Sequence, residues 1–184
     1  MLDYKAAVLV QSALNIMHLA HSGQTDRSGE PYTGHTFRVG MRSYQLTGHI
    51  YSMCVGFLHD VIEDCPDWTV DRLIQSGIPY PVANSVSILT RQSGESYADT
   101  YIGRIIEIET PRGDLGRPYL AWRDWTIRVK IADLEDNIGR PGATPEMYVR
   151  YLKALHRLRG TVKNPARIPV VTPSESVKIP RKYR

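Results

Sequence analysis

His59, Asp60, Glu63 and Asp64 fall within six consecutive positions of "FLHDVIEDC" (57–65), whose other residues are mostly apolar. An imidazole beside a carboxylate offers one neutral nitrogen and one anionic oxygen, a donor pair that suits a divalent transition metal. Glu63, one helical turn further on, could hold a metal-bound water or take its proton. On a helix of about 100° per residue, Asp60, Glu63 and Asp64 lie within about 140° of His59, and Phe57, Leu58, Val61 and Ile62 occupy the rest. Any one of these acids alone reads as the solvated face of an amphipathic helix. Set between "MCVGF" and "VI", three of them together would be buried without a cation, which is expensive. A metal would supply the cation.

Two ligands are too few, so other segments must contribute. In "RVKIADLEDNIG" (128–139) and the arginine after it, placing Asp133 at 0° puts Asn137 near 40°, Lys130 near 60° and Arg140 near 340°, about one helical face. A carboxylate, an amide, an ammonium and a guanidinium on one strip fit a metal ligand flanked by groups that grip phosphate oxygens. The plainer reading is a salt-bridged face with Asp133 paired to Lys130 or Arg140. His35, just after the loop "SGEPYTG", is either a further ligand or a cap or surface residue.

The elements that must carry these residues read as helices. Apolar residues recur at helical spacing in "YKAAVLVQSALNIMHLA", with Gly23 beyond its end as a stop. "GQTDRSGEPYTGH" is a loop, "HTFRVGMRSYQLTG" a weaker helix, and "HIYSMCVGFLHDVIED" a third, largely buried helix. "TVDRLIQSG" is a short helix capped by Thr69 or Asp67 and stopped by Gly77. "PVANSVSILTR" and "SYADTYIGRIIEIET" continue the helical pattern, although "IEIET" alternates as a strand would. "AWRDWTIRVKIADLEDNIGRPG" is a long helix, and "TPEMYVRYLKALHRLRG" a last one with Thr144 as N-cap and Pro145 at its first position. The fold expected is all-α: one helical bundle over residues 1–160, followed by a flexible, Pro-containing basic tail over 161–184.

Composition sets the outer bounds. The 184 residues are 42% hydrophobic and 23% charged, ordinary for one soluble domain. No apolar run approaches the roughly 20 residues that span a bilayer, and the N-terminus carries no cleavage-site pattern. A cytoplasmic protein with no membrane partner is expected. Cys54 and Cys65 are not in a CxxC pattern and read as reduced thiols. The net charge of +4 comes from the tail, which holds Lys163, Arg167, Lys178, Arg181, Lys182 and Arg184 against Glu175. The rest is close to neutral, which argues against nucleic acid as a partner of the bundle.

His35, "HD" at 59–60 and the aspartate that opens "DLEDN" form an ordered pattern that resembles the HD-domain metal-dependent phosphohydrolases. More narrowly, "AHSGQTDRSGEPYTGH", "FLHDVIEDC" and "VKIADLEDN" resemble the alarmone (ppGpp) hydrolase branch, the Rel/Spo-type hydrolase domains and small stand-alone hydrolases. The resemblance implies an HD-domain helical bundle and one divalent metal, usually manganese, held by His35, His59, Asp60 and Asp133. It implies that Glu63 and Asp64 position and activate the water that attacks the phosphate on the ribose 3′ oxygen of a small nucleotide. It brings Asn137, Arg27 and Ser28 to the nucleotide, to which the wheel argument adds Lys130 and Arg140 at phosphate oxygens. The chain departs from the branch twice. Asp26 stands where an arginine commonly stacks on guanine, a contact that an acid cannot make. "DLEDN" replaces an Asp, a basic residue and a His or Tyr before Asn. Both departures are expected to touch substrate recognition and to spare the metal chemistry. Removal of the 3′-pyrophosphate from ppGpp is therefore the first expectation. The alternatives are the same chemistry on a nucleoside monophosphate, an NADPH-like or a signalling nucleotide, or a module that binds nucleotide or nucleic acid without turnover.

Overall fold

The computed structural model describes residues 4–108 and 116–162. Among them the regular structure is helical: α1 (Tyr4–Ala20), α2 (Thr33–Thr47), α3 (Ile50–Leu58), α4 (Val61–Asp64), α5 (Val70–Gln75), α6 (Tyr80–Leu89), a π turn (Tyr97–Tyr101), α7 (Ile102–Ile106), α8 (Gly116–Gly139) and α9 (Pro145–Arg159). No strand is present in the described residues; one isolated bridge joins Thr25 to Pro31. The all-α expectation holds. Glu107 and Ile108, the first described part of the alternating "IEIET", form no strand, and the tail beyond residue 162 lies outside the described residues.

α3 is the centre of the bundle. Every side chain from Ser52 to Leu58 is buried, and α1, α2, α6 and α8 pack around it. A helix that is apolar all round has to sit in a core, because no face of it can face water cheaply. α2 and α3 cross at two glycines. A Cβ on Gly56 would lie 2.6 Å from the Gly40 Cα, and a Cβ on Gly40 would lie 2.2 Å from the Phe57 ring. The backbones touch, and this brings His35 near the start of α2 against His59 just past the end of α3. The turn between the two helices is short. Gly48 adopts φ 68° at the C-cap of α2, a left-handed conformation that suits glycine. The His49 ring then accepts from the Tyr51 amide to cap α3.

The expected single helix over His49–Asp64 is two helices. His59 Nδ1 donates to the Gly56 carbonyl at 2.8 Å. In an unbroken helix the residue-60 amide would donate to that carbonyl. Asp60 relaxes to φ −99°, ψ −4°, and α4 restarts at Val61. α8 begins at Gly116, earlier than the "AWRDW" at which the sequence reading started it, while other boundaries fall near that reading. Thr69 caps α5 by accepting from the Arg72 amide, and Thr144 caps α9 by accepting from Met147, with Pro145 at the first position.

α8 is the second axis of the site. Ile127, Val129, Ile131, Ala132, Leu134 and Ile138 are buried together with the charged Arg128, Lys130, Asp133 and Glu135. Burial of the charges is tolerated because each has a partner. Arg128 reaches Asp124, and Glu135 is held between Arg42 of α2 and Arg159 of α9, at 2.8 and 2.9 Å.

Candidate active site

The four residues expected to hold a metal converge. His35 and His59 are 1% and 2% exposed, and their rings meet edge-on with centroids 5.2 Å apart. His35 Nε2 lies 3.4 Å from an Asp133 oxygen and 3.6 Å from an Asp60 oxygen. His59 Nε2 lies 3.0 Å from Asp60 and 3.6 Å from Asp133. Donor atoms of His35, His59 and Asp133 all fall within 4.8 Å of one another.

The rings are held by their other nitrogens. His59 Nδ1 donates to the Gly56 carbonyl, and His35 Nδ1 donates to the Asp136 carboxylate at 2.7 Å. A carbonyl and a carboxylate can only accept, so both Nδ1 atoms carry hydrogen, and Nε2 of each ring faces the aspartates, where it would offer its lone pair to a metal once its own hydrogen is gone. His59 Nε2 is buried and, although 3.0 Å from Asp60, makes no well-directed hydrogen bond, which a buried nitrogen rarely tolerates. Two imidazole nitrogens and two carboxylate oxygens make a donor set suited to a divalent transition metal, so these residues fit one. With only protein atoms present, burial would lower the His35 and His59 pKa values. The surrounding aspartates overcome it and raise them to about 9 and about 10.

Above the cluster lies a cavity of about 300 Å³. Asp60 and Asp133 form part of its floor. Glu63, Asp64, Arg27, Asn137 and Arg140, all singled out by the sequence, line it. Glu63 is tethered by the Arg91 amide, which donates to it at 2.8 Å. Burial, then the charges of Asp60 and Glu63, push the Asp64 carboxyl up to about 6.

Two of the expected residues sit elsewhere. Lys130 does not line the cavity; its Nζ lies 2.7 Å from Asp133 and 4.9 Å from the centre of the Tyr101 ring. A buried ammonium needs its countercharge at hand, so the plainer salt-bridged reading of Lys130 and Asp133 is what the fold adopts. Ser28 faces a neighbouring cavity and donates to Asp26 through both its amide and its hydroxyl, at 2.8 and 2.6 Å. Asp26 also accepts from the Glu30 amide and pairs with Arg140 at 3.3 Å. It is thus a loop-organising acid that grips an arginine from the opposite wall. Of the tyrosine and arginine stripe in "YADTYIGR", only Tyr97 reaches the cavity. Tyr101 is buried against the Leu89 carbonyl, and Arg104 pairs with Glu95.

The sequence reading missed two residues. Tyr32 lines the cavity and donates to Asp60 at 2.5 Å. Its position one turn before His35 was the available signal. Asp136, one of the departures in the third motif, was expected to spare the metal chemistry. It touches His35 directly. Asp136 is three positions after Asp133, which puts both carboxylates on the same side of α8.

No family model matches the chain. A chloroplastic Arabidopsis thaliana protein named as the GTP diphosphokinase RSH1 is 31% identical over 139 residues, 74% of this chain. The match spans 15% of that relative's length. Among solved structures, a metazoan ortholog of SpoT described as hydrolysing ppGpp superposes with a TM-score of 0.63 at 20% identity, over 90% of this chain and 91% of the other. The likeness shows the fold, an all-helical bundle shared with that structure. The chain is similar in sequence to RSH1 and in fold to the SpoT ortholog.

Proposed function

We propose that this chain is a manganese-dependent phosphohydrolase that removes the 3′-pyrophosphate of ppGpp as its first substrate, releasing GDP and pyrophosphate. One observation carries the reading. Two imidazoles with Nδ1 fixed outward and two aspartates converge at the floor of a cavity walled by a carboxylate pair and two arginines. The ligands of the metal are His35, His59, Asp60 and Asp133. When bound, the metal supplies positive charge that lowers the pKa of a water and offsets charge on the phosphate.

The chain's own groups do the rest. Glu63, held by the Arg91 amide, orients the attacking water. Asp64, raised to about 6, is ionised at neutral pH and still basic enough to take a proton. Arg27 and Arg140 meet the phosphate oxygens, and Asn137, adjacent to both Asp133 and Arg140, contacts the nucleotide between them. Ser28 acts on the nucleotide only through Asp26, whose position it fixes. Lys130 holds Asp133 in place from behind. The two buried free cysteines suit a reducing cytoplasm, and no helix among the described residues is long and apolar enough to cross a membrane.

The test is manganese-loaded wild type beside Glu63→Ala/Asp64→Ala, with ppGpp as substrate and products identified. Pyrophosphate and GDP from wild type alone are expected. No release from folded, metal-loaded protein sinks this substrate, and a panel of nucleoside monophosphates, NADPH and signalling nucleotides then decides whether the class survives.

A further inference from the structure

His35 is the one metal-site histidine whose outward nitrogen meets a charged group. His59 rests on a neutral carbonyl, while His35 Nδ1 rests on the Asp136 carboxylate at 2.7 Å. That carboxylate is held in turn. Arg38 donates to it through Nε at 2.6 Å and through Nη2 at 3.1 Å, one bond to each oxygen. Arg140 approaches with Nε at 3.2 Å. Two one-turn steps face each other across the helix packing: His35 and Arg38 on α2, Asp133 and Asp136 on α8. One pair of residues reaches the metal cluster, and the other pair holds its geometry from outside.

We infer that Asp136, clamped by Arg38 and Arg140, is a positioning residue that fixes the tautomer and orientation of His35 and strengthens its bond to a divalent metal. The physical basis is direct. A carboxylate accepting the Nδ1 hydrogen leaves the lone pair on Nε2, limits rotation of the ring, and makes the imidazole a better donor. The competing explanation is a staple, with Arg38 and Asp136 merely joining α2 to α8 at a half-exposed edge. The two accounts differ in what else should change. A staple gives Arg38 and Asp136 equal weight in stability and none in metal affinity. A positioning role makes Asp136 matter to the metal far more than Arg38, because Arg140 still holds the carboxylate when Arg38 is gone.

The inference rests on the proposed metal site and does not depend on ppGpp as the substrate. It is tested by binding alone, with Mn²⁺ as the probe and free ion followed by electron paramagnetic resonance. Asp136→Ala should bind Mn²⁺ roughly 10- to 100-fold more weakly than wild type. Asp136→Asn, whose amide oxygen can still accept, should lose roughly 3- to 10-fold, and Arg38→Ala less than about threefold. In zinc-loaded, ¹⁵N-labelled wild type, His35 should show a hydrogen-bonded Nδ1–H that is lost in Asp136→Ala. Equal Mn²⁺ affinity in wild type and folded Asp136→Ala overturns the assignment. Should the alanine variant fail to fold, undiminished affinity in Asp136→Asn overturns it equally. Wild type that binds no Mn²⁺ removes the metal site and this inference together. Binding that follows the expected order, with no hydrolysis of ppGpp, leaves the inference standing and the substrate wrong.

Discussion

Asp64 carries a raised pKa at a cost to the fold. Burial and the neighbouring Asp60 and Glu63 raise it from an ordinary 3.8 to about 6. A raised carboxylate pKa means that the folded state holds the proton more tightly than the unfolded one. Asp64 therefore destabilises the fold as pH climbs from about 4 to about 6, and the penalty persists above that. Asp64→Asn should raise the melting temperature of the metal-free protein at pH 7.5. The gain should vanish near pH 4, as thermal unfolding at both pH values would show. Because the residue is exposed by area and only its carboxyl is partly desolvated beside Asp60 and Glu63, screening limits the gain to a fraction of about 1 kcal/mol. The same substitution should lower hydrolysis by about 10²-fold or more if Asp64 accepts the proton. At this scale the sequence was most legible where residue type alone limits the role. His59 and Asp60 could be placed together from the sequence, because a histidine beside an acid at the end of an apolar helix has few other uses. Asp136 could not, since an acid on a helix face is ordinary and its partner lies 101 positions away.

The α2–α3 crossing decides whether the two histidines meet. Gly56 has no room for a methyl group against the Gly40 backbone. Gly56→Ala must push the helices apart, which costs about 1–3 kcal/mol or more by overpacking. Denaturant unfolding should show the loss, and the variant's Mn²⁺ affinity should fall with it, since His35 and His59 ride on the two helices. Thr144→Ala removes a cap whose side chain accepts from the Met147 amide and touches none of the four cluster residues. It should cost about 1 kcal/mol and leave metal affinity unchanged. Helix positions were readable from apolar periodicity and from Thr–Pro and glycine signals. The break after Leu58 was not. It arises when the His59 side chain takes a backbone carbonyl, a competition that periodicity does not register. Lys130 failed for a related reason: a wheel gives direction around an axis, but not which direction faces a cavity and which faces Tyr101.

The bundle as a whole is tied by charges that lie inside it. Glu135 joins α2, α8 and α9 through Arg42 and Arg159. Glu135→Ala takes the shared partner from two arginines that are about a quarter exposed and should cost about 1–3 kcal/mol, measurable by chemical denaturation. A metal at the His/Asp cluster should stabilise the same bundle by mass action, about 2.7 kcal/mol at a hundredfold excess over its Kd, and a chelator should reverse the rise in melting temperature.

The Gly40–Gly56 contact, together with the pairing of His35 against α8, also bears on how the chain reaches its native state. The helices that supply His35 and His59 are neighbours in sequence and meet through a turn of a few residues, a cheap closure. Asp133 arrives from α8, with α4 to α7 lying between it and His59 in sequence, so its approach closes a much longer stretch of chain at a larger loss of entropy. Three of the four cluster residues, His35, His59 and Asp60, are therefore assembled by local contacts, and only Asp133 by distant ones. In a refolding experiment, capture of Mn²⁺ should lag behind the early burial of the α2–α3 pair. It should coincide with the last kinetic phase, so that the ion acts as a clock for the moment the chain closes on itself.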